Sequence, residues 1–162
     1  MAEQSDPKWL VLDGYEDEPA AFGVPPYVGF HIRYLCGVLE DAKIDYRYMT
    51  IDQWRNFVEQ KGEDGVQKLM SQIEGFACIA GAVVPGRYLR GTPISLKEMQ
   101  NVVRQLPSEI PAILGGWAIR GWRQQGWNPL RRNLFLAVQD TDATLNNYLE
   151  SGQWTVSYTH LT

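Results

Sequence analysis

Three segments of the sequence carry glycines and charged residues that could hold a ligand, and each follows a run that predicts a strand. The first segment, residues 14–27, comes directly after Asp13 and contains the acidic residues Glu16, Asp17 and Glu18. Such a cluster could hold a cation or orient a partner. The alternative is a solvated loop in which Asp13 caps a turn, as aspartate side chains often do.

The second segment, residues 81–92, combines glycine with positive charge. Gly81, Gly86 and Gly91 allow a ligand to approach the backbone closely, and Arg90 supplies a guanidinium. Backbone amides and arginine suit a phosphate-bearing ligand. The GxxxxGK[ST] motif of phosphate-binding loops is not present, so an ordinary strand-to-helix turn is the alternative.

The third segment, residues 115–121, opens with Gly115 and Gly116 directly after a predicted strand. Paired glycines at this place would let a flat or bulky ligand pass close to the backbone. Several tryptophans follow, and aromatic residues are enriched at protein interfaces. We therefore expect Trp122 and Trp127 to belong to a contact with another domain.

Other chemistries are excluded by what the sequence lacks. Its two cysteines, Cys36 and Cys78, are too few for a disulfide framework or a metal cage. Neither the GxSxG motif nor a GxGxxG motif after the first strand is present. We predict no catalytic residue and no metal site in this chain, and we expect both cysteines to be buried in a reducing compartment.

Length and charge narrow the function classes further. The chain has 162 residues, 44% of them hydrophobic, and a formal net charge of −4. This length is typical of one domain, and mild acidity argues against nucleic-acid binding. No run reaches the roughly 20 apolar residues of a membrane helix, and the polar start is unlike a signal peptide. The sequence therefore predicts a soluble cytoplasmic domain with no nucleic-acid or membrane partner.

The elements that must position these segments alternate between strand and helix. Strands are predicted at residues 8–13, 44–50, 76–84, 112–114 and 133–138. Alternation of this kind predicts an α/β fold with a doubly wound, five-stranded parallel sheet of strand order 2-1-3-4-5, which is flavodoxin-like. The most apolar run, residues 76–84, should be the central strand. Ligands of such sheets bind at the carboxyl ends of the strands, where all three segments begin.

The helices between the strands have recognisable ends. Helical patterns cover residues 28–42, 53–60, 66–73 and 96–106, with a short helix or turn at 117–124 and a last helix reaching 149. Asp52 and Ser95 are predicted N-caps, and Asp140 or Thr141 caps the last helix. We expect a flexible N-terminus at residues 1–7, one domain at 8–152, and a disordered, foreign or truncated tail at 153–162.

Two stretches resemble a known group of proteins. The first runs from Asp13-Gly14-Tyr15 through Glu18-Pro19 and continues as GVPPY at residues 23–27. The second is AGAVVPGRYLRGTP at residues 80–93. Both resemble the amino-terminal region of radical S-adenosylmethionine proteins, chiefly archaeal, in which a cobalamin-binding-like domain precedes the radical barrel. The resemblance covers about residues 8–150.

The resemblance implies an accessory module that binds a cofactor or substrate, or that packs on the radical barrel as its partner. Cobalamin domains that use a histidine ligand carry DxHxxG after the first strand, and here Tyr15 stands in place of that histidine. Cobalamin would therefore bind without a histidine ligand. The CxxxCxxC motif is not present either, so the [4Fe–4S] cluster and S-adenosylmethionine are expected only in a downstream domain. The residues expected to contact a cofactor are Asp13, Gly14, Tyr15, Gly81, Gly86, Arg90, Gly91, Gly115 and Gly116.

Two other functions stay open. The chain could be a free-standing flavodoxin-like module that binds a small molecule or a nucleotide, or a pure interaction domain whose apolar patch packs on a neighbouring barrel.

Overall fold

The chain forms a five-stranded parallel sheet flanked by helices. The computed structural model describes residues 7–15, 30–80, 92–119, 133–137 and 140–151. The strands are β1 (Trp9–Gly14), β2 (Tyr46–Thr50), β3 (Gly75–Ala80), β4 (Ala112–Gly115) and β5 (Leu134–Ala137). The helices are α1 (Phe30–Asp41), α2 (Ile51–Gln72), α3 (Leu96–Gln105) and α4 (Thr141–Ser151), with a single 3-10 turn at Trp117–Ile119. None of the described helices is both long and apolar enough to cross a bilayer.

The order of the strands is 2-1-3-4-5 and every pair is parallel, so the predicted flavodoxin-like α/β fold is confirmed. β1 lies between β2 and β3, with Val11 opposite Tyr48 on one side and Ala77 on the other. β3 is the middle strand, and all six of its residues are buried. A strand covered on both faces has no polar face, which explains the continuous apolar run that predicted it.

Alternate residues of each strand serve opposite faces of the sheet. Trp9 and Val11 point towards the face that contains Leu35 of α1 and Leu145 of α4. Leu10 and Leu12 belong to the other face, which holds the apolar side chains of α2 and α3. Two hydrophobic layers therefore fix the sheet and leave its carboxyl edge as the place where the connecting segments begin.

Two sequence predictions about element ends are wrong. β2 begins at Tyr46 and not at residue 44, because the amide of Ile44 still donates to the carbonyl of Leu39 and closes α1. The N-cap of α2 is Thr50 and not Asp52, which lies in the first turn. The hydroxyl of Thr50 accepts from the amide of Gln53, whose side chain accepts in turn from the Thr50 amide. This reciprocal pair satisfies two amides that Asp52 could not reach from inside the helix.

The predicted interruption of α2 at Gly62 and Gly65 is confirmed only at the first glycine. Gly62 has φ 64° and ψ −169°, a backbone conformation that glycine adopts readily, whereas the helix continues through Gly65, where the prediction is wrong. Ser95 caps α3 as predicted, and the last helix begins at Thr141. The predicted strand ends at 81–84 and 138, the helix start at 28–29, most of the expected N-terminus, the tail at 153–162, and Trp122 and Trp127 lie outside the described residues.

Candidate functional site

The candidate site is the carboxyl edge of the sheet, beside the switch point between β1 and β3. Asp13 and Gly14 end β1 and Tyr15 follows them, while Gly115 ends β4 and Gly116 follows it. The sequence therefore placed these five residues on one edge correctly. Gly81, Gly86, Arg90 and Gly91 lie outside the described part of the chain, and their contact with a ligand stays a prediction.

Asp13 is a buried residue of β1 and not part of a solvated loop. Only 6% of it is exposed. Its Oδ1 accepts from the Tyr15 amide at 2.9 Å, so the interpretation of Asp13 as a turn cap is confirmed. Its Oδ2 accepts from the Tyr48 hydroxyl of β2 at 2.6 Å. Burial, together with the Asp13 carboxylate, raises the pKa of Tyr48, which therefore stays a proton donor to Asp13.

Tyr15 has an unusual backbone and a firmly held side chain. Its φ is 63°, in the left-handed region that residues other than glycine adopt rarely. Its ring packs against the core layer on the α2 side of the sheet, and its hydroxyl donates to Oδ2 of Asp52 at 2.7 Å. Burial is the largest cause of a raised pKa for Tyr15. The hydroxyl is therefore committed to a contact inside the protein.

Asp52 is the first of three charged residues that continue from Tyr15 to the start of α3. Its Oδ1 accepts from Nη1 of Arg55 at 3.1 Å. Arg55 also donates from Nε and Nη2 to the two carboxylate oxygens of Glu98, both at 3.0 Å. Glu98 accepts from the Ser95 amide in the capping box of α3. We call this connected set, Tyr15, Asp52, Arg55, Glu98 and Ser95, the edge network.

The electrostatics of the edge network favour the ionised form of Glu98. Burial opposes ionisation of Glu98, but the hydrogen bonds from Arg55 and Ser95 outweigh it and hold the pKa of Glu98 below its ordinary value. Arg55 faces two carboxylates and keeps about a third of its side chain exposed, at 31%. The two carboxylates of Asp52 and Glu98 share the single positive charge of Arg55, so the network carries a net negative charge.

The glycines at this edge are explained by packing. A Cβ on Gly14 would lie 2.6 Å from the carbonyl oxygen of Ile79 and overlap the side chain of Ile94. A Cβ on Gly115 would overlap Thr141, and Gly116 has φ 93° with the Ala80 carbonyl where a Cβ would lie. Other residues of the protein already pack closely against these glycines. Contact between the glycines and a ligand stays a prediction.

The remaining candidate chemistry is weak among the described residues. No group of three or more histidine, cysteine, aspartate or glutamate residues could hold a metal ion within the ranges that the structure describes. Cys78 is buried as expected, and burial raises the pKa of its thiol. Cys36 is half-buried, and burial raises its pKa as well. Neither thiol has the lowered pKa of a reactive cysteine.

Four residues at this edge were not assigned to it from the sequence: Tyr48, Asp52, Arg55 and Glu98. Asp52 had a local signal as the predicted cap of α2, and Glu98 had one because it stands three positions after Ser95 in a capping box. Arg55 and Glu98 are 43 positions apart, and no spacing in one sequence shows that they meet.

The chain is similar to parts of two archaeal proteins. The chain is 40% identical over 107 residues to an uncharacterized protein of Methanocaldococcus jannaschii, a match that covers 66% of this chain and 18% of that protein. It is 41% identical over 92 residues to an uncharacterized protein of Archaeoglobus fulgidus, covering 57% of this chain and 16% of the relative. No family model matches, and no solved structure is significantly similar. The chain thus spans less than a fifth of the length of the curated archaeal relatives that it matches.

Proposed function

We propose that this chain is an accessory domain of an archaeal-type radical S-adenosylmethionine protein, and that it packs on the radical barrel and does not carry cobalamin through a protein ligand. One observation carries the proposal. Tyr15 stands where a histidine-ligating cobalamin domain has its histidine, and its hydroxyl is bonded to Asp52 inside the protein. The loop resemblance, the confirmed strand order and the much longer archaeal relatives support it.

The residues at the carboxyl edge do not fit a cobalt-ligating corrin site. A phenol that donates to a carboxylate has its proton engaged, and its raised pKa disfavours the phenolate that a metal ligand needs. Asp13 likewise receives two donors, from Tyr15 and Tyr48. Among the described residues of this edge, the polar side chains of Asp13 and Tyr15 are therefore bonded within the protein, which favours a packing role over a ligand-carrying role.

The first test is a titration of the chain with hydroxocobalamin, followed by electron paramagnetic resonance of the reduced cobalt. The wild-type chain should show no nitrogen superhyperfine splitting from a protein imidazole. Tyr15→His is the matched variant, because it places a histidine where the DxHxxG motif has its ligand. Histidine also tolerates a positive φ better than most residues. Splitting in the wild-type chain that is lost on His31→Ala would contradict the proposal.

The second test concerns the cluster and the barrel. A cubane cluster needs about three or four cysteine thiolates, and this chain has two, of which Cys78 is fully buried. Anaerobic reconstitution of the chain alone with iron and sulfide should therefore give no stoichiometric cluster. The reading frame that contains this chain should encode CxxxCxxC further on, and that segment, expressed separately, should bind the chain. A frame without the motif, or a barrel segment that does not bind, would refute the proposal.

A further inference from the structure

Two chain segments lie beside the switch point between β1 and β3: residues 13–15 and residues 92–98. Both are linked to one side chain, that of Arg55 in α2. On the β1 side, Arg55 fixes Asp52, and the other oxygen of that carboxylate accepts from the Tyr15 hydroxyl. On the β3 side, Nη1 of Arg55 donates to the Thr92 carbonyl at 2.7 Å, and its Nε and Nη2 hold Glu98. Residues 92–98 thus contact the guanidinium directly, and Tyr15 is linked to it through Asp52, although the two segments are far apart in the sequence.

We propose that Arg55 is a positioning residue that couples these two segments, so that order in one stabilises order in the other. This coupling goes beyond the proposed function, because it depends on the fold and not on what the edge binds. A ligand or partner that fixes either segment would therefore also fix its neighbour across the switch point.

The physical basis of this coupling is the conformational entropy that is lost when the long side chain of Arg55 is ordered. Arginine loses much rotamer freedom when it is held, but a planar fork that is already oriented by Glu98 meets Asp52 and the Thr92 carbonyl with little further loss. The second set of contacts is therefore easier to form once the first exists, which is positive coupling through conformational entropy. Asp52 lies one turn before Arg55 on α2, so the helix keeps both groups in place.

A second connection runs between the segments and must be separated from the first. The amide of Ile94 donates to the carbonyl of Gly14 at 3.1 Å, and the Ile94 side chain occupies the space beside Gly14. This contact does not involve Arg55. A variant at Arg55 therefore distinguishes coupling through the guanidinium from coupling through the backbone.

The experiment measures amide hydrogen exchange by nuclear magnetic resonance in the whole chain. Tyr15→Phe removes one hydroxyl on the β1 side, and the readout is the protection of the Ser95 and Glu98 amides, which are bonded within the capping box. We expect protection of both amides to fall about twofold, because the partly exposed pair of Tyr15 and Asp52 contributes only about 0.5 kcal/mol and its loss cannot change protection by more. The amide of Leu145 in α4 serves as the reference for global unfolding.

The reciprocal change and the background variant complete the test. Glu98→Gln should lower the protection of the Tyr15 amide by a similar factor, because coupling is reciprocal. In an Arg55→Met background both cross-effects should disappear, whereas Arg47→Met, which removes an exposed arginine on β2, should leave them intact. If Arg55→Met does not fold, Asp52→Ala interrupts the same path with a smaller change. Cross-effects that persist in either background, or that never appear in the wild-type chain, would overturn the proposal.

Discussion

Tyr15, Tyr46 and Tyr48 each donate to a carboxylate, and the surroundings of each pair predict very different losses of stability when the hydroxyl is removed. Tyr48 donates at 2.6 Å to Asp13, which is 6% exposed. Tyr15 donates at 2.7 Å to Asp52, whose side chain is 38% exposed. The distances are nearly equal, so burial of the acceptor decides the outcome. When the hydroxyl is removed, water can replace it at Asp52 but not at Asp13.

The magnitudes follow from this difference in access to water. Tyr48→Phe should lower the free energy of unfolding by about 2 kcal/mol, as expected when a carboxylate loses a buried donor. Tyr15→Phe should cost about 0.5 kcal/mol, as for an exposed polar pair. With a urea dependence of about 2 kcal/mol per molar for a domain of this size, the midpoints should fall by about 1 M and about 0.25 M.

Urea unfolding followed by circular dichroism and by tryptophan fluorescence measures both values. Tyr46→Phe is a matched control on the same strand, because Tyr46 donates at 2.6 Å to the exposed carboxylate of Glu40. Its midpoint should move no more than that of Tyr15→Phe, and the slope should be the same in all variants. Equal shifts for all three tyrosines would refute the reasoning, as would a larger shift for Tyr15→Phe than for Tyr48→Phe.

Three further outcomes are expected. Gly116→Ala should destabilise the protein by about 3 kcal/mol in urea unfolding, because φ is 93° and the new Cβ would overlap the carbonyl of Ala80; Gly37→Ala, with no atom within 4 Å, should raise stability slightly. Glu98 has a folded pKa below its ordinary value of 4.5, so its contribution is present above that value and is lost as the pH falls through the folded pKa. The stability difference between wild type and Glu98→Gln should therefore shrink as the pH falls below 4.5 in pH-dependent urea titrations. Thr50→Ala should cost about 1 kcal/mol by thermal or urea unfolding, and a larger loss on Gln53→Ala would contradict the assigned cap.

The sequence predicted well the features that depend on residues close together in the chain. The run FACIAGAVV gave a central strand because every position between two helix layers must be apolar, and the structure buries all of Gly75–Ala80. Ser95, followed by a helical pattern of apolar residues, predicted the start of α3 correctly. The strand order followed from the alternation of elements and from the handedness of crossovers.

The features that the sequence missed depend on contacts between distant residues or on competition between neighbours. Ile44 belongs to a run of β-forming residues, yet its amide is used to close α1 after Lys43 adopts φ 56°. Thr50 and Asp52 are both good cap residues, and the side chain of Gln53 decided between them. The pair of Arg55 and Glu98 could not be seen at all, because nothing in either helix pattern shows which faces meet.

The position of β1 in the sheet also sets the order in which the protein can be completed during synthesis. The layer on the α2 and α3 side draws its side chains from residues 10 to 136, and its buried members end at Ile119. The opposite layer needs Leu145 from α4, and Tyr148 lies 6.2 Å from the ring of Trp9, measured between ring centroids. A nascent chain can therefore complete one face while the other, on which α1 already packs, still lacks Leu145 and Tyr148 of α4. The face of β1 that carries Trp9 and Val11 is complete only after α4 has emerged from the ribosome.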